Sequence, residues 1–519
     1  MNRYIFLSIL CYMSLCSGFM CSEAKAQNPP RPNVVYVIMD DGDYEFYNNT
    51  LVDSSNFKLL AQHGFTFKNG LVPQATCRPS VGSLLTGTNP HTNNIRNNSS
   101  PGYLPASNTI VKILKDNGYA TFVGGKWWEN FSSNAQLTFN YYGIDVTEGV
   151  RPTNNFIRVG NQQGLMNFID ANLNVPKFIW WAPLIPHLPF NPPPQFRAMI
   201  NDSAITPYPW LNPIDIPSDA TDFVSDEANF MAMHNWLNST FGDFVNKLAS
   251  VGELDNTLFV FYNDNGLCNG YVSKQSPYDH GILTYVTFSW RANQNIVNNV
   301  MNNTNMLEVA DIFPTVMDLI GVNYLHQTDG HSVKNMLYGL PQDERTASHG
   351  ACYSISPIAG DNESFYESTL AVYTRNLQYK YIYFLKPVRA NEVGDNSPVR
   401  WKYRFLPVPT RNRGDEELYD LLTDPGERNN LINNVNLQEI KNQLKIDTFD
   451  WWYNESDGVN TCPTDFNYDN VTDLSDLSQL LSMFGTQVTD KHDLNRNGYI
   501  DLSDLSSVLT AFGLPCNRP

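Results

Sequence analysis

The chain is poor in basic residues and has no long apolar run in its interior, and each deficit excludes a class of function. Lysine and arginine together number 34, against 52 aspartate and glutamate residues among 519, which gives a formal net charge of −18. Such an acidic chain repels a phosphate backbone, so we predict no nucleic-acid partner. No internal stretch reaches about 18 consecutive apolar residues, which excludes a protein with several membrane spans.

The N-terminus is the one strongly apolar segment. It begins with Arg3, continues through mostly apolar residues 5–20 and ends with the small residues Ala24 and Ala26. This pattern is typical of a signal peptide, and we predict that residues 1–26 are removed by cleavage after Ala26. An uncleaved membrane anchor is the alternative. With cleavage, the protein is expected to be secreted, periplasmic or on the cell surface, without a membrane span.

Cysteine is also scarce, with eight residues in all, three of them inside the predicted signal peptide. The remaining odd number predicts one thiol with a special role and disulfides for the others. Cys462 and Cys516 bracket a small C-terminal segment and are the best-supported pair. Cys268 with Cys352 is the weaker second pair. The fifth cysteine is Cys77.

The middle of the chain alternates between predicted strands and helices. The first strand, residues 34–39, is a continuous run of β-branched and other apolar residues, which is typical of a central parallel strand. Alternation of this kind predicts an α/β fold with a mostly parallel sheet and helices on both faces. Further predicted strands are 119–123, 178–181 and 257–262, predicted helices are 109–116 and 230–248, and strands 370–373 and 379–383 would form a smaller antiparallel unit.

Polar side chains follow each of the four strands predicted for the parallel sheet. In parallel sheets, ligands collect at the carboxyl ends of the strands. Aspartate and asparagine oxygens suit a hard cation such as calcium, whereas lysine and histidine suit an anion. Together they predict a site for a sulfate or phosphate ester, although each residue taken alone could be an ordinary loop residue. The residues are Asp40, Asp41, Lys126, His187, Asp264 and Asn265.

Residues 72–87 contain a cysteine at the start of a predicted helix. Cys77 precedes Pro79 and Ser80, which can open a helix whose first N–H groups favour an anion. A buried structural cysteine is the alternative.

Taken in order along residues 31–435, these motifs resemble the sulfatase family, which has an alkaline-phosphatase-like fold. The resemblance implies a three-layer α/β catalytic domain at 31–345 with a central, mostly parallel sheet, and a small α+β subdomain at 346–455. The matching segments are Arg31-Pro32-Asn33, Asp40-Asp41-Gly42, Cys77-x-Pro79-Ser80, Leu84-Leu85-Thr86-Gly87, Gly125-Lys126-Trp127, Pro186-His187, Asp264-Asn265-Gly266, Lys274 and Leu418-Tyr419-Asp420-Leu421.

The resemblance also implies a mechanism and a cofactor set. Cys77 would be oxidised to formylglycine (3-oxoalanine), whose hydrated aldehyde attacks sulfur and later expels sulfate. One calcium ion would be bound by Asp40, Asp41, Asp264, Asn265 and the group derived from Cys77. Lys126, His187 and Lys274 would hold the sulfate, and His187 or Lys274 would protonate the leaving alcohol. The implied substrate is a sulfated carbohydrate.

Two departures from the family pattern leave three functions open. Val81 stands where the family has an arginine that assists formylglycine formation, and Trp128 stands where it has the histidine base of the elimination step. Glu129 is a candidate replacement for that base. The chain is therefore an active sulfuric ester hydrolase, a degenerate relative that binds sulfated glycans without turnover, or a phosphoester or phosphonate hydrolase on the same fold.

Residues 462–516 contain a repeat with an offset of 28 residues. Each copy has oxygen side chains at the spacing of a calcium loop and continues into an apolar helix, which argues against a solvated acidic tail. The segment resembles a dockerin, which implies two further calcium ions, a cohesin-type receptor and a Cys462–Cys516 bridge. The predicted ligands are Asp465, Asn467, Asp469, Val471, Asp473 and Asp476 in the first loop, and Asp493, Asn495, Asn497, Tyr499, Asp501 and Asp504 in the second.

Overall fold

A computed structural model describes most of the chain, and Pro32–Pro519 form one compact unit. The predicted signal peptide, Cys268, Asn497 and Cys516 lie outside the described residues. The described ranges are 31–42, 44–129, 134–150, 162–187, 189–205, 220–266, 274–353, 369–387, 411–454, 462–487, 491–495 and 499–515.

Eight strands form the central sheet, in the order β4-β3-β5-β1-β6-β7-β2-β8. The pairs from β4 through to β6 are all parallel, as is β2 with β8, whereas β7 is antiparallel to both of its neighbours. The predicted α/β architecture with a mostly parallel sheet is therefore confirmed. The strands are β1 (Asn33–Met39), β2 (Gly64–Leu71), β3 (Ala120–Gly125), β4 (Val146–Glu148), β5 (Lys177–Ala182), β6 (Thr257–Asn263), β7 (Leu283–Ser289) and β8 (Val300–Glu308).

Helices pack on both faces of this sheet, as the sequence predicted. Strand β1 shows why its apolar run is continuous: Val34 and Tyr36 enter one hydrophobic core, while Val35 and Val37 enter the other. The helices of this part are α1 (Ser55–Gln62), α2 (Cys77–Thr86), α3 (Pro90–Asn93), α4 (Ile110–Asp116), α5 (Ala135–Tyr142), α6 (Gln163–Ala171), α7 (Pro194–Arg197), α8 (Ala220–Ser250), α9 (Asp279–Ile282), α10 (Ile312–Ile320) and α11 (Lys334–Leu337).

A second, antiparallel sheet forms the small subdomain, in the order β12-β11-β10-β9. Its strands are β9 (Ser348–Tyr353), β10 (Thr369–Arg375), β11 (Tyr379–Phe384) and β12 (Glu416–Asp420), and helix α12 (Gln438–Asn454) packs against β10 and β11. Cys352 on β9 is a buried free thiol, so the predicted Cys268–Cys352 disulfide is wrong. Among the described residues, no helix has the length and apolarity needed to cross a membrane.

The C-terminal repeat folds as two short helices, α13 (Leu474–Met483) and α14 (Leu502–Ala511). Each begins at an aspartate cap, Asp473 or Asp501, which forms a capping box with the aspartate three residues later. The apolar residues of the two helices are divided between the interior and the surface. Leu480 and Val508 are fully buried, whereas the side chains of Leu481, Phe484, Leu509 and Phe512 are 40–54% exposed.

Candidate active site

The register of the central sheet brings the predicted site residues to one edge. Met39 at the end of β1 pairs with Asn263 at the end of β6, so Asp40 and Asp264 come next to each other. The Asp264 N–H donates to the Met39 carbonyl oxygen at 3.0 Å. On the other side of β1, the Lys126 N–H donates to the Ala182 carbonyl oxygen at 2.7 Å, where β3 and β5 end.

Four side chains form a buried group that we call the carboxylate cluster: Asp40, Asp41, Cys77 and Asp264. Each offers an atom that lies within 4.8 Å of the others. Asp40 Oδ2 in this cluster and Asn265 Oδ1 next to it are buried without a hydrogen-bond partner among the described residues. Since hard cations prefer oxygen ligands, unpaired oxygens among crowded carboxylates fit a calcium ion. Burial raises the pKa of Asp264 to about 6, which shows how strongly the position disfavours uncompensated negative charge.

Two buried lysines neutralise part of this charge. Lys126 Nζ donates to Asp40 and, at 2.8 Å, to Asp264 Oδ2. Burial opposes its charged form, but the carboxylates of Asp264 and Asp40 raise the pKa of Lys126 well above its usual value. Lys274 Nζ donates to Asp41 and lies 3.1 Å from Cys77 Sγ. Lys126 is therefore cationic, and Nζ of Lys274 lies in direct contact with residue 77.

Cys77 is the first residue of helix α2 and is 2% exposed. Its sulfur is 4.0 Å from Asp40 Oδ1. Burial raises the pKa of the Cys77 thiol to about 11, despite the nearby charges of Lys126 and Lys274. An unmodified Cys77 is consequently protonated at neutral pH and is a poor nucleophile.

His187 lies at the more open side of the cluster. Its Nε2 atom is 3.5 Å from Asp41 Oδ2, and 27% of its side chain is exposed. Burial lowers the pKa of His187 below its usual value, with Asp41 opposing the shift. The ring is therefore neutral near pH 7 and can accept or donate a hydrogen bond. The structure thus brings all eight predicted catalytic and metal residues of this site together.

The two positions that depart from the family pattern have clear surroundings. Val81 is buried in the hydrophobic core. The ring centre of Trp128 lies 5.7 Å from Lys126 Nζ, so an aromatic face covers that ammonium. Glu129, the candidate replacement base, instead accepts from Arg78 Nε at 3.1 Å and from the Leu104 N–H at 2.9 Å.

The pair of Arg78 and Glu129 is a supporting contact that sequence reasoning missed. Arg78 also donates to the carbonyl oxygens of Ser100 and Gly102, which points its guanidinium away from residue 77's sulfur and into the 100–104 loop. No sequence signal marks this pairing, because Arg78 and Glu129 are 51 residues apart.

Known proteins similar to this chain indicate which family the site belongs to. The model of the Sulfatase family matches residues 32–322, more than half of the chain. The chain belongs to the sulfatase family. This membership confirms the prediction of a sulfuric ester hydrolase. All four residues of the carboxylate cluster lie within the matched region.

Individual relatives extend the match over most of this sulfatase. An ulvan-active sulfatase of Formosa agariphila is 24% identical over 433 residues, covering 82% of this chain and 81% of the relative. The human N-acetylglucosamine-6-sulfatase is 25% identical over 399 residues, covering 63% and 70%.

Solved structures share the alkaline-phosphatase-like fold. A protein in complex with its substrate D-glucosamine-2-N,6-O-disulfate has a TM-score of 0.59 and 17% identity, covering 80% of this chain and 96% of that one. The phosphonate monoester hydrolase of Agrobacterium radiobacter has a TM-score of 0.61 and 16% identity, covering 79% and 93%.

The C-terminal part of the sulfatase presents two similar loops. Asp476 accepts from the N–H groups of Phe466, Asn467 and Asp473, and Asp504 accepts from the corresponding groups 28 residues later. Asp465 and Asp476 are 1% and 0% exposed, and Asp493 and Asp504 are 6% and 0% exposed. The first and last predicted ligands of each loop therefore point inward. Cys462 is disulfide-bonded, and its predicted partner Cys516 is not among the described residues.

Proposed function

We propose that this sulfatase removes sulfate from a sulfated carbohydrate, with a formylglycine made from Cys77 and one bound calcium ion. The observation that carries the proposal is the position of Cys77 inside the buried carboxylate cluster, in contact with Lys274. A buried, protonated thiol is unsuited to nucleophilic attack, and an unmodified cysteine offers no second hydroxyl to expel sulfate.

The residues of the chain fit distinct roles around a sulfate group. A hydrated aldehyde at residue 77 would supply the attacking hydroxyl, and calcium held by Asp40, Asp41, Asp264 and Asn265 would polarise the sulfate. Lys126 and Lys274 are positioned to hold sulfate oxygens and to stabilise developing charge. The proton for the leaving alcohol would come from His187, which has to be protonated first because its ring is neutral near pH 7, or from Nζ of Lys274.

The substrate class rests on the relatives. One is described as active on ulvan, another as an N-acetylglucosamine-6-sulfatase, and a structural neighbour was solved with a disulfated glucosamine. We infer a sulfated carbohydrate for this chain as well. The N-terminal pattern supports export by a signal peptide, so the enzyme would meet its substrate outside the cytoplasm.

The decisive experiment combines a mass measurement with a turnover assay. Peptide mass spectrometry across residue 77, on protein from its native source, should show the mass of formylglycine. The same protein should release sulfate from sulfated oligosaccharides, and the Cys77→Ala variant should not. Unmodified thiol together with tight binding but no sulfate release would favour the ligand-binding alternative. Faster cleavage of an aryl phosphate or phosphonate ester than of the matched aryl sulfate would favour the other hydrolase class.

We also propose that the segment 462–516 is a dockerin-like calcium module that binds a cohesin-type receptor. Its repeated loops and paired capping boxes support two calcium sites. Exposed apolar side chains recur 28 residues apart on the two helices and give a receptor an apolar surface to cover. These pairs are Leu474 with Leu502, Leu481 with Leu509, and Phe484 with Phe512.

Removal of calcium tests this module. At calcium concentrations about 100 times its dissociation constant, each site stabilises the folded module by roughly 2.7 kcal/mol. Addition of a chelator should therefore lower the melting temperature of the module in the full-length protein. Hydrogen exchange of residues 462–515, recorded at increasing temperature, measures this melting. The double variant Asp465→Ala, Asp493→Ala should melt at the lower temperature with or without chelator. An unchanged melting temperature on chelation of the unaltered protein would contradict calcium binding.

A further inference from the structure

The first loop of the C-terminal module contacts helix α12 through a buried tyrosine. Tyr468 is 2% exposed, although it lies in a short loop. Its ring centre lies 5.2 Å from that of Phe449 and 5.9 Å from that of Tyr453, both on α12. Its backbone adopts a left-handed conformation with φ of 59°. The ring therefore fills a place in the aromatic core of the small subdomain.

Charged groups complete the contact. The Tyr468 hydroxyl donates to Asp450 on α12. Lys491, in the segment before the second loop, donates to both oxygens of Asp450 at 2.9 Å and to the Phe466 carbonyl oxygen at 2.9 Å. Its ammonium also lies 5.1 Å from the Tyr468 ring centre. We call these five residues, Phe449, Asp450, Tyr453, Tyr468 and Lys491, the docking contact.

The docking contact is tied to the backbone of the first predicted calcium loop. Tyr468 lies between two predicted ligands, Asn467 and Asp469. Asp465 accepts from the Asp469 N–H at 3.2 Å and from the Asn470 N–H at 2.8 Å. The turn that presents Tyr468 to α12 is thus the same turn that a cation in the loop would order.

The second loop has a different residue at the equivalent place. The position 28 residues after Tyr468 is Arg496, a charged residue where the first loop has an aromatic one. Among the described residues, the second loop is connected to α12 through Lys491, two residues before Asp493, whereas the first loop also places the ring of Tyr468 against this helix.

We propose that docking of the module on α12 is energetically coupled to cation binding, and more strongly in the first loop than in the second. The coupling rests on the calcium role proposed above for the two loops. Calcium orders the turn around Tyr468, and the docked Tyr468 in turn favours the ordered loop. Because linkage is reciprocal, each event strengthens the other by the same factor. The module is then held at a fixed place on the enzyme whenever calcium is present.

Hydrogen exchange of the full-length protein during a calcium titration tests this coupling. Peptides from residues 465–476, 493–504 and 438–454 report on the first loop, the second loop and α12. In the unaltered protein, calcium should slow exchange in both loops, and protection of α12 should rise at the calcium concentration that protects the first loop. Calcium-independent exchange of α12 would overturn the proposal.

The variant Asp450→Ala separates coupling from local loop effects, because it lies outside the loop. It should raise the calcium midpoint of the first loop by about 5- to 150-fold and that of the second loop, which loses only the contact of Lys491, by a clearly smaller factor. Asp447→Ala, on the same helix, where Asp447 accepts from Gln443, should change neither midpoint. An Asp450→Ala protein with an unchanged first-loop midpoint, or with equal shifts in both loops, would refute the coupling. Calcium protection of neither loop in the unaltered protein would instead defeat the calcium module itself, while leaving the Cys77 mass measurement unaffected.

Discussion

The ion pair of Arg78 and Glu129 stabilises the segment that carries residue 77, and its loss should measurably lower the free energy of unfolding. Glu129 is 1% exposed, and Glu129→Gln would leave the buried Arg78 cation without its counter-charge. We expect the free energy of unfolding to fall by about 3 kcal/mol, because a buried charge that has lost its partner is strongly destabilising. Urea denaturation measures this change.

Two comparisons make the Glu129 prediction specific. Asp116→Asn, in the largely exposed pair with Lys112, should cost less than about 0.5 kcal/mol. If Glu129 were the base of the elimination step, Glu129→Gln would abolish turnover in the folded protein. We expect instead that turnover per folded molecule is largely retained, because Glu129 is occupied by Arg78 and the Leu104 N–H.

Trp128 offers the sharpest test of how this sulfatase completes its cycle. An indole cannot take up a proton, whereas the family pattern has a histidine at this position. Trp128→His should therefore raise kcat for sulfate release, by about tenfold or more if proton removal limits turnover, given the size of typical general-base effects. Stopped assays on a sulfated oligosaccharide measure kcat and KM separately.

One control variant and one possible contrary result test the Trp128 prediction. Trp128→Phe keeps an aromatic face near Lys126 but adds no base, so its kcat should not exceed that of the unaltered enzyme. Suppose that residue 77 has been converted to formylglycine and that Trp128→His still lowers kcat or leaves it unchanged. Another group then already removes the proton. The prediction would then be wrong.

At the scale of elements, the junction of β3 with the site depends on one glycine. Gly125 has φ of 84°, and an added Cβ would lie 2.1 Å from the Ala182 carbonyl oxygen on β5. Gly125→Ala should therefore cost at least about 2 kcal/mol of stability, from backbone strain and from separation of β3 and β5 next to Lys126. Equilibrium unfolding measures the cost, and sulfate release should fall with the displacement of Lys126.

Gly118 supplies the matched control for Gly125. It has a similar φ of 85°, but no atom lies within 4 Å of an added Cβ. Gly118→Ala should thus show the backbone strain alone, about 1 kcal/mol, with turnover unchanged. Equal losses of stability in the two variants would mean that the contact with Ala182 contributes nothing.

The buried strands could be predicted from sequence, but the edge of the sheet could not. Strands β1, β5 and β6 are buried on both faces, so their apolar runs are continuous and easy to recognise. Strand β8 is largely exposed over residues 300–304 and carries several asparagines, which hides it from any hydrophobic pattern. The antiparallel placement of β7 depends on pairing between distant strands, which no local pattern encodes.

The same reasoning explains what the sequence revealed of the site. Polar residues that follow parallel strands must converge, so the approach of Asp40, Lys126 and Asp264 could be expected from the strand pattern alone. Lys274 follows no predicted strand, and only its place in the family pattern pointed to it. The engagement of Glu129 by Arg78 and the docking of Tyr468 on α12 depend on side chains packed in three dimensions, and they became visible only in the structure.

At the scale of the whole molecule, the net charge of −18 opposes the approach of an anionic substrate. The cations that favour it, Lys126 and Lys274, are buried and already paired with carboxylates. Their field is local, whereas the repulsion from the rest of the chain acts at long range. Salt should weaken the long-range repulsion more than the local attraction, because the Debye length falls from about 30 Å at 0.01 M to about 8 Å at 0.15 M ionic strength.

Raising the ionic strength over this range should therefore increase kcat/KM for an oligosaccharide with several sulfates, by about threefold or more. The long-range repulsion is screened, while the contacts of the bound sulfate with Lys126 and Lys274 are too short to be affected equally. A monosulfated sugar, with less charge to repel, should show a smaller increase in kcat/KM under the same conditions. A decrease in kcat/KM for the polysulfated substrate would show the opposite balance, with a cationic field at the site mouth that outweighs the acidic surface.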